Sequence, residues 1–387
     1  MGCAEGYSGM SNSGQCFSDE GLVAFRATLQ DLFKDWKDRP FSSTENLFPK
    51  DLLKSLQEIG ALDALLPADE GGFGLACSAE GRGVLLTLLR RTGYLSLSLG
   101  RCLEGHVNVI RLVTLYGTRQ QCHTLSQTLK KGVLAGIWVT DGNPPVLISK
   151  DDGSYRLSGI KGFASGVSEV GLALITAITE QGTSVMVFVP TTDPKRRLAG
   201  PGKLTGMQAS GTGAYDFTDL PVADEDVLGA PGDYLRQPEF SAGAWRGSAV
   251  ALGGMDRLVD LLRQELVARE RADNPHQLCR IGETLILQKT AALWVEQAAL
   301  AACGSVAMRP EEIVATVNLA RLAVERAALE LITLVQRGLG LSAFVKGRAV
   351  EQVMRDLATY LRQPAPDEAL TEAAAWFIRH DWPETRL

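Results

Sequence analysis

The chain has 387 residues, of which 45% are hydrophobic, and this favours a folded protein of two or three domains over a disordered chain. Its formal net charge is −6, and its basic runs are no longer than Lys195-Arg196-Arg197, which argues against a nucleic-acid-binding surface. No apolar run approaches the roughly 20 residues that a membrane-spanning helix needs, so we expect no membrane association.

The N-terminal stretch is rich in Gly and Ser, and residues 1–17 are predicted to form a flexible tail. This stretch has neither a basic start nor an apolar core, so it does not resemble a signal peptide. The seven cysteines show no CxxC pair and no metal-ligand spacing, and they stand at 3, 16, 77, 102, 122, 279 and 303. We therefore expect reduced thiols, a cytoplasmic location and no metal site.

Residues 18–131 are predicted to form an N-terminal helical domain. Ser18 is expected to cap the first helix, because the apolar residues from Leu22 to Trp36 share one helical face. Four glycines between residues 60 and 74 indicate a tight loop, and Gly117-Thr118 is expected to cap a later helix. The further helices of this domain are expected at about 50–59, 79–92, 98–116 and 120–131.

Residues 132–229 are predicted to form a β domain, because apolar, β-branched runs alternate with clusters of Gly, Pro, Asn and Asp. The three clearest strands are expected at Val133–Val139, Leu172–Ile178 and Val185–Val189. Helical patterns lie on both sides of this block. That order favours an α+β fold with segregated layers over alternating βαβ units.

Residues 241–387 are predicted to form a helix bundle, because long helical patterns are joined there by short breaks. The helices are expected at about Ser241–Arg271, Leu278–Cys303, Pro310–Gly338, Ala349–Leu361 and Asp367–Ile378. Several of them are apolar on more than one face. Such helices must be buried on several sides, so we expect a homodimer or a homotetramer built through the bundle.

Motifs spread along the chain are similar to those of a known family. They include Pro67-x-x-Glu70-Gly71-Gly72-x-Gly74, Tyr116-Gly117-Thr118-x-x-Gln121, Leu157-Ser158-Gly159-x-Lys161-x-Phe163-x-Ser165-Gly166 and Gly206-Met207-x-x-Ser210-Gly211-Thr212-Gly213. In this order they make the chain resemble the FAD-dependent acyl-CoA dehydrogenase superfamily, from residue 18 almost to the end. The resemblance implies an N-terminal α-helical domain, a central antiparallel β domain, a C-terminal four-helix bundle and FAD as the cofactor.

The resemblance also implies which residues would bind the flavin. They are Trp138, Thr140, Phe163, Ser165, Arg271, Gly338 and Gly340. A flavin ring needs hydrogen-bonding groups and a flat apolar cover, and Thr140, Ser165 and Phe163 are of those types. Arg271 would meet the pyrophosphate, although Arg269 and Arg280 could replace it. Gly338 and Gly340 would lie near the cofactor of a partner subunit.

The chain departs from the family at the catalytic base. Dehydrogenases of this family remove the α-proton of a thioester with a glutamate, and its two usual positions are here occupied by Trp245 and Pro364. We therefore expect that face of the site to be apolar and without a proton acceptor.

Four other residues are candidates for acid–base chemistry: Glu104, His106, Asp367 and Glu368. Glu104 and His106 lie on the helix that faces the substrate cavity in this family. Glu104 and Asn108 are one helical step apart, while His106 points elsewhere, and either candidate could be a satisfied polar residue of an interface. Asp367 and Glu368 follow the Pro-Ala-Pro loop. They could equally be the N-cap and first turn of the last helix.

Three functions follow from this pattern. The first is oxidation of a small thioester-linked or otherwise activated acyl substrate, such as an acyl-CoA or a carrier-bound acyl group, by a non-standard base. It requires an electron-transfer partner. The second is a flavin-dependent oxygenase on the same fold, which uses oxygen and needs no such glutamate. The third is a degenerate binding protein without flavin, against which the retained Thr140, Phe163 and Ser165 argue.

Overall fold

The computed structural model describes residues 19–39, 47–151, 154–200, 202, 204–304 and 307–382. The predicted tail at 1–17 and the predicted cap Ser18 lie outside these residues. The first described helices form the N-terminal layer: α1 (Asp19–Lys37), α2 (Lys50–Glu58), α3 (Arg82–Leu95), α4 (Leu97–Tyr116) and α5 (Arg119–Leu129). The expected tight loop lies between α2 and α3, where Gly71 has a φ of 82°.

Two of these helices begin at side-chain caps. Ser96 accepts a hydrogen bond from the backbone N–H of Leu99 at the start of α4. Thr118 and Gln121 form a capping box at the start of α5, as the Gly117-Thr118 motif predicted. These caps satisfy backbone donors that helix formation would otherwise leave unpaired.

The β domain contains two sheets in the described part of the chain. The strands are β1 (Leu134–Trp138), β2 (Leu147–Asp151), β3 (Ser154–Ser158), β4 (Ile160–Ala164), β5 (Val170–Ile178), β6 (Ser184–Pro190), β7 (Arg197–Leu198), β8 (Gly213–Asp216), β9 (Leu220–Val222) and β10 (Val227–Leu228). The larger sheet has the order β10-β6-β5-β2-β3-β9 with β1 also beside β5, and the smaller one has the order β4-β8-β7.

The sheets are mostly antiparallel, with one difference from the expectation. β1 runs parallel to β5, pairing Ala135 with Leu172 and Trp138 with Ile175, and β2 meets β5 in a short parallel contact. A parallel pair requires a long connection between its strands, and β2, β3 and β4 lie between β1 and β5 in the chain.

The C-terminal region is a helix bundle. Its helices are α6 (Glu239–Ala242), α7 (Ala244–Ala268), α8 (Pro275–Ala302), α9 (Pro310–Leu339), α10 (Ala349–Tyr360) and α11 (Pro366–Phe377). One interpretation expected Asp367 to be the N-cap of α11, and this was wrong. Ala365 occupies the cap position with a φ of 51°, Pro366 begins the helix, and Asp367 falls in its first turn.

The N-terminal layer and the bundle share one hydrophobic core. α3 and α7 approach each other so closely that a Cβ at Gly253 would lie 1.9 Å from the carbonyl oxygen of Arg90. Only glycine permits this approach. The segment Pro310–Phe344 is long and apolar enough to cross a membrane, but half of its most apolar window is buried in the protein, as in the core helix of a bundle.

Candidate functional site

A cavity of about 560 Å³ lies where the β domain, the N-terminal layer and the bundle meet. Ile137 and Val139, at the end of β1, form part of its wall, and Leu112 of α4 and Val324 of α9 add apolar surface. The polar side chains come mainly from α4, α7 and the segment around α11. The cavity is therefore enclosed by elements that are distant in sequence.

The inner end of the cavity holds a continuous polar network on α4 and α7. Glu104 is 8% exposed, and its carboxylate pairs with the guanidinium of Arg101. The same carboxylate accepts a hydrogen bond of 2.7 Å from Nδ2 of Asn108. The amide oxygen of Asn108 in turn accepts a hydrogen bond from Arg246. One carboxylate is thus linked to two guanidinium groups, directly to Arg101 and through an amide to Arg246.

The spacing of this network explains why its members meet. Residues 101, 104 and 108 are three and four positions apart on α4, so they lie on one helical face. Sequence reasoning named Glu104 and placed Asn108 one helical step from it, but missed Arg101 and Arg246. The three-residue spacing from Glu104 was the available signal for Arg101.

Arg246 is 8% exposed, and burial lowers the pKa of its guanidinium, with partial compensation from Glu104. Its Nε has no hydrogen-bond partner among the described residues. Arg111, which also lines the cavity, donates from Nη1 to the carbonyl oxygen of Cys77 at 2.9 Å. The inner cavity is therefore cationic.

Two phenols complete the inner lining, Tyr234 and Tyr360. Burial raises the pKa of Tyr234 to about 12, and burial together with Glu104 raises the pKa of Tyr360 well above its ordinary value. Both side chains therefore stay protonated at neutral pH and can donate hydrogen bonds into the cavity.

The mouth of the cavity is formed near α11. Glu368 is exposed and lines it, whereas Asp367 is exposed and does not line it. Arg321 donates to the carbonyl oxygens of Pro364 and Ala365 at 3.2 and 3.3 Å, which holds the loop before α11 against α9. The structure thus brings Glu104 and Glu368 to one cavity, at opposite depths.

His106 lies elsewhere. It is fully buried, and its Nδ1 accepts a hydrogen bond of 3.0 Å from the backbone N–H of Ala135 on β1. Burial lowers the pKa of His106 to about 4, so the ring is neutral at physiological pH. His106 does not line the cavity that contains Glu104. Its observed contact joins α4 to the β domain.

The expected apolar face around Trp245 is not observed. Trp245 is 1% exposed and packs in the core, while the adjacent Arg246 faces the cavity. The expectation was wrong because the sequence around Trp245 does not set the rotation of α7. Pro364 does line the cavity, as predicted for that position.

The residues expected to bind a flavin fall into two groups. Trp138 is buried in the β core, where it packs on Tyr215 at 5.7 Å between ring centroids and donates to the carbonyl oxygen of Ser165. Thr140 and Phe163 are exposed and Ser165 is partly exposed. Phe163 is 48% exposed and has a φ of 49°, a conformation that a bulky residue rarely adopts.

This second group fits a flat aromatic cofactor. Phe163 is an exposed aromatic ring on a strained backbone, and Ser165 lies two residues after it. The carbonyl oxygen of Thr140 accepts a hydrogen bond of 3.0 Å from the backbone N–H of Gly162, so Thr140 lies beside the same strand. Lys161 supports the segment beside Thr140: its buried ammonium donates to the carbonyl oxygen of Val139 at 3.1 Å and to Asp141 at 2.5 Å. Residues that combine a strained backbone with an exposed side chain are typical of binding sites.

The remaining expected flavin residues lie at the ends of the bundle helices. Arg271 follows α7 and is exposed, and its side chain has no hydrogen-bond partner among the described residues. The alternative residue, Arg269, donates hydrogen bonds to Glu265 and to Ser342. Gly338 is buried, and a Cβ there would lie 2.8 Å from a terminal methyl group of Leu262. Gly340 ends α9 with a φ of 62° and faces open space.

No protein-family model matches the chain. The dibenzothiophene monooxygenase of Mycolicibacterium goodii is 26% identical over 194 residues, which cover 47% of this chain and 46% of that protein. The acryloyl-CoA reductase (NADH) of Anaerotignum propionicum is 26% identical over 236 residues, covering 56% of this chain and 58% of that protein. The chain thus spans about half the length of the curated relatives it matches.

Solved structures match over nearly the whole chain. TdsC of Paenibacillus sp. A11-2, in complex with FMN and indole, has a TM-score of 0.79 at 18% identity, covering 94% of this chain and 98% of that one. The butyryl-CoA dehydrogenase of Megasphaera elsdenii has a TM-score of 0.78 at 16% identity, covering 92% of this chain and 98% of that one. These similarities confirm the resemblance that the motifs predicted: the chain has the fold of the acyl-CoA dehydrogenase superfamily.

Proposed function

We propose that this chain is a flavin-dependent oxidoreductase that acts on a small activated substrate in the cavity between the β domain and the bundle. The observation that carries the proposal is the buried Glu104 network at the inner end of that cavity, beside the end of β1. The similarity to flavin monooxygenases and to CoA-ester enzymes supports it.

A bound flavin would supply two-electron redox chemistry, which no side chain in the cavity provides. Phe163 would cover the ring, and Thr140 and Ser165 would donate hydrogen bonds to it. We propose FAD, because Arg271 is exposed and can meet a pyrophosphate. FMN would need no such contact. Release of the cofactor by denaturation, followed by chromatography, distinguishes the two.

Dehydrogenation of an acyl substrate requires a carboxylate base in the cavity. Glu368 is the freer candidate, because its carboxylate is exposed and has no ion-pair partner in the described part of the chain. A substrate that fills the cavity would lie between Glu368 at the mouth and Glu104 at the inner end.

A second reaction, oxygenation, is favoured by the contacts that the carboxylate of Glu104 already makes. The only carboxylate at the inner end of the described cavity already pairs with Arg101 and accepts from Asn108. Because both oxygens of this carboxylate already accept hydrogen bonds, it is poorly placed to accept a proton from a substrate. The side chains at the inner end can instead orient a substrate by charge and by hydrogen bonds from Tyr234 and Tyr360, with no proton abstraction from carbon.

The two reactions are separated by anaerobic mixing of the flavin-loaded protein with short, medium and branched acyl-CoA esters. We expect little or no bleaching of the flavin absorption band by straight-chain esters. Rapid bleaching that is lost in Glu368→Gln, but retained in a matched Asp367→Asn variant at a position that does not line the cavity, would establish dehydrogenation. Oxygenation would be established if the flavin is first reduced with NADH and a reductase, and admitted oxygen then gives a hydroxylated product from a substrate that does not itself bleach the flavin. A purified protein without flavin would overturn both.

A further inference from the structure

We propose that the inner end of the cavity is an oxyanion subsite, in which Arg246 and Arg111 bind a carboxylate, sulfonate or phosphate group of the substrate. Its role in substrate recognition rests on the proposed function, whereas the binding of an anion there does not. The apolar wall formed by Ile137, Leu112 and Val324 would contact the remainder of such a molecule.

The first support is the balance of charge. Three guanidinium groups line the inner cavity, those of Arg101, Arg111 and Arg246, and Glu104 is the carboxylate that faces them. Glu104 pairs directly with Arg101 alone. The positive charge of the other two arginines has no ion-pair partner in the part of the chain that the structure describes.

The other carboxylates that line the cavity do not neutralise these arginines. Glu325 pairs with Arg362, and Glu368 and Glu372 are exposed at the mouth. Glu239 forms no ion pair with Arg111 or Arg246 in the part of the chain that the structure describes. Among the described lining residues, Arg246 therefore has no carboxylate partner other than Glu104, which it reaches only through Asn108.

The second support is the unused hydrogen-bonding capacity of Arg246. A guanidinium has five N–H donors, and Arg246 donates to Asn108, while its buried Nε has no partner among the described residues. An isolated buried charge is unfavourable, and an anion that accepts from the remaining donors would relieve this cost.

The third support is that the guanidinium is held in place before any ligand arrives. Asn108 is fixed by its own hydrogen bond to Glu104, so its oxygen presents a defined acceptor to Arg246. Gly243 leaves the space that the guanidinium occupies, because a Cβ there would lie 2.9 Å from Nη2 of Arg246. Such positioning lowers the entropic cost of binding.

The test is isothermal titration calorimetry of the purified, flavin-containing protein with benzoate, benzenesulfonate and inorganic phosphate. Benzamide serves as the neutral match of benzoate. We expect at least one anion to bind, and benzoate to bind better than benzamide. Arg246→Gln should weaken anion binding by about tenfold or more, as expected for loss of a charge-assisted hydrogen bond.

Two further variants make the expectation specific. Glu104→Gln removes the competing carboxylate and should tighten anion binding, an effect that a purely structural role of Arg246 would not produce. Gly243→Ala keeps every charge but displaces the guanidinium, and it should weaken binding without changing the charge of the protein. Arg263→Gln, an exposed position on the same helix, is the matched control and should leave binding unchanged.

Several outcomes would overturn the subsite: no anion binds, benzamide binds as well as benzoate, or Arg246→Gln and Gly243→Ala both bind as the unmodified protein does. Should Arg246→Gln fail to fold by circular dichroism, Glu104→Gln and Gly243→Ala decide the question. Anion binding by a protein that lacks flavin would retain the subsite and overturn the proposed function. A protein that contains flavin but shows no preference for anions would retain the proposed function and overturn the subsite.

Discussion

Asn108 donates a 2.7 Å hydrogen bond from its amide to the carboxylate of Glu104, one helical turn earlier on α4. This bond fixes the orientation of the amide, so its oxygen can only face the other way, where it accepts from Arg246 on α7. One neutral side chain therefore couples a carboxylate of the N-terminal layer to a cation of the bundle.

Replacement of Asn108 by Ala should destabilise the protein. Glu104 loses a donor and Arg246 loses its acceptor, and both are buried, so we expect the free energy of unfolding to fall by about 1–3 kcal/mol. Urea unfolding followed by circular dichroism measures the change. Gln120→Ala on α5, an exposed position, should change stability by no more than about 0.5 kcal/mol. Equal stability of the two variants would contradict the network.

The burial of His106 predicts a dependence of stability on pH. Its pKa is about 4 in the folded protein, against an ordinary value of 6.5, so the unfolded chain binds more protons between these two values. The stabilisation is complete above pH 6.5 and is lost as the pH falls towards 4. The loss amounts to about 3 kcal/mol for this group.

A pair of histidine variants isolates this effect in urea unfolding measured across the same pH range. His106→Gln can still accept from the N–H of Ala135 but cannot titrate, so its stability should depend less on pH below 6.5. His276→Gln, at an exposed position, should keep the slope of the unmodified protein. Parallel pH profiles for all three proteins would show that the burial of His106 has no energetic consequence.

The sequence predicted the order of helical, β and helical regions because each depends on local periodicity and turn residues. The capping box of Thr118 and Gln121 is of this kind. The parallel pairing of β1 with β5 was not predicted, since it depends on contacts between residues about 37 positions apart, such as Ala135 and Leu172. Local pattern gives no information about such a pairing.

The composition of the cavity was only partly predictable. Glu104 was identified, but its neighbour His106 differs from it by 200° around the helix, and only the position of β1 decides which of them is buried in an interface. Trp245 and Arg246 pose the same problem on α7, a helix whose buried residues lie all around it. Resolving such alternatives requires the packing partners of each helix.

Phe163 can be removed with little cost to folding. Its ring is half-exposed and its φ of 49° favours glycine, so Phe163→Gly should leave the free energy of unfolding within about 1 kcal/mol of the original. If the ring covers the flavin, the purified variant should retain less flavin, measured from absorbance per protein. Ser165→Ala should shift the flavin spectrum or weaken binding. Full occupancy and an unchanged spectrum in both variants would rule out this placement.

Lys161 is 1% exposed and connects three parts of the β domain, through Val139, Asp141 and Thr176. Burial lowers the pKa of Lys161, and its bond to Asp141 opposes that shift. Lys161→Met leaves the carbonyl oxygen of Val139 and the hydroxyl of Thr176 without this donor, whereas Asp141 is exposed and can be solvated, so we expect a destabilisation of about 1–3 kcal/mol. Thermal unfolding tests this, with the exposed Lys195→Met as control. A loss no greater than in the control would contradict a structural role for the pair.

The last prediction concerns assembly. α8 exposes apolar side chains along one side, with Leu278, Leu285, Ile286 and Leu293 each at least 50% exposed. Exposed apolar patches of this kind mark contact surfaces between proteins. We therefore expect light scattering to give the mass of a dimer or tetramer at micromolar concentration. The double variant Ile286→Lys and Leu293→Lys should shift the mass towards the monomer, because burying two ammonium groups is unfavourable. Gln120→Lys on α5 adds the same type of charge away from α8 and should leave the mass unchanged. A monomeric unmodified protein would refute the expectation, and an oligomer unaffected by the double variant would move the interface away from α8.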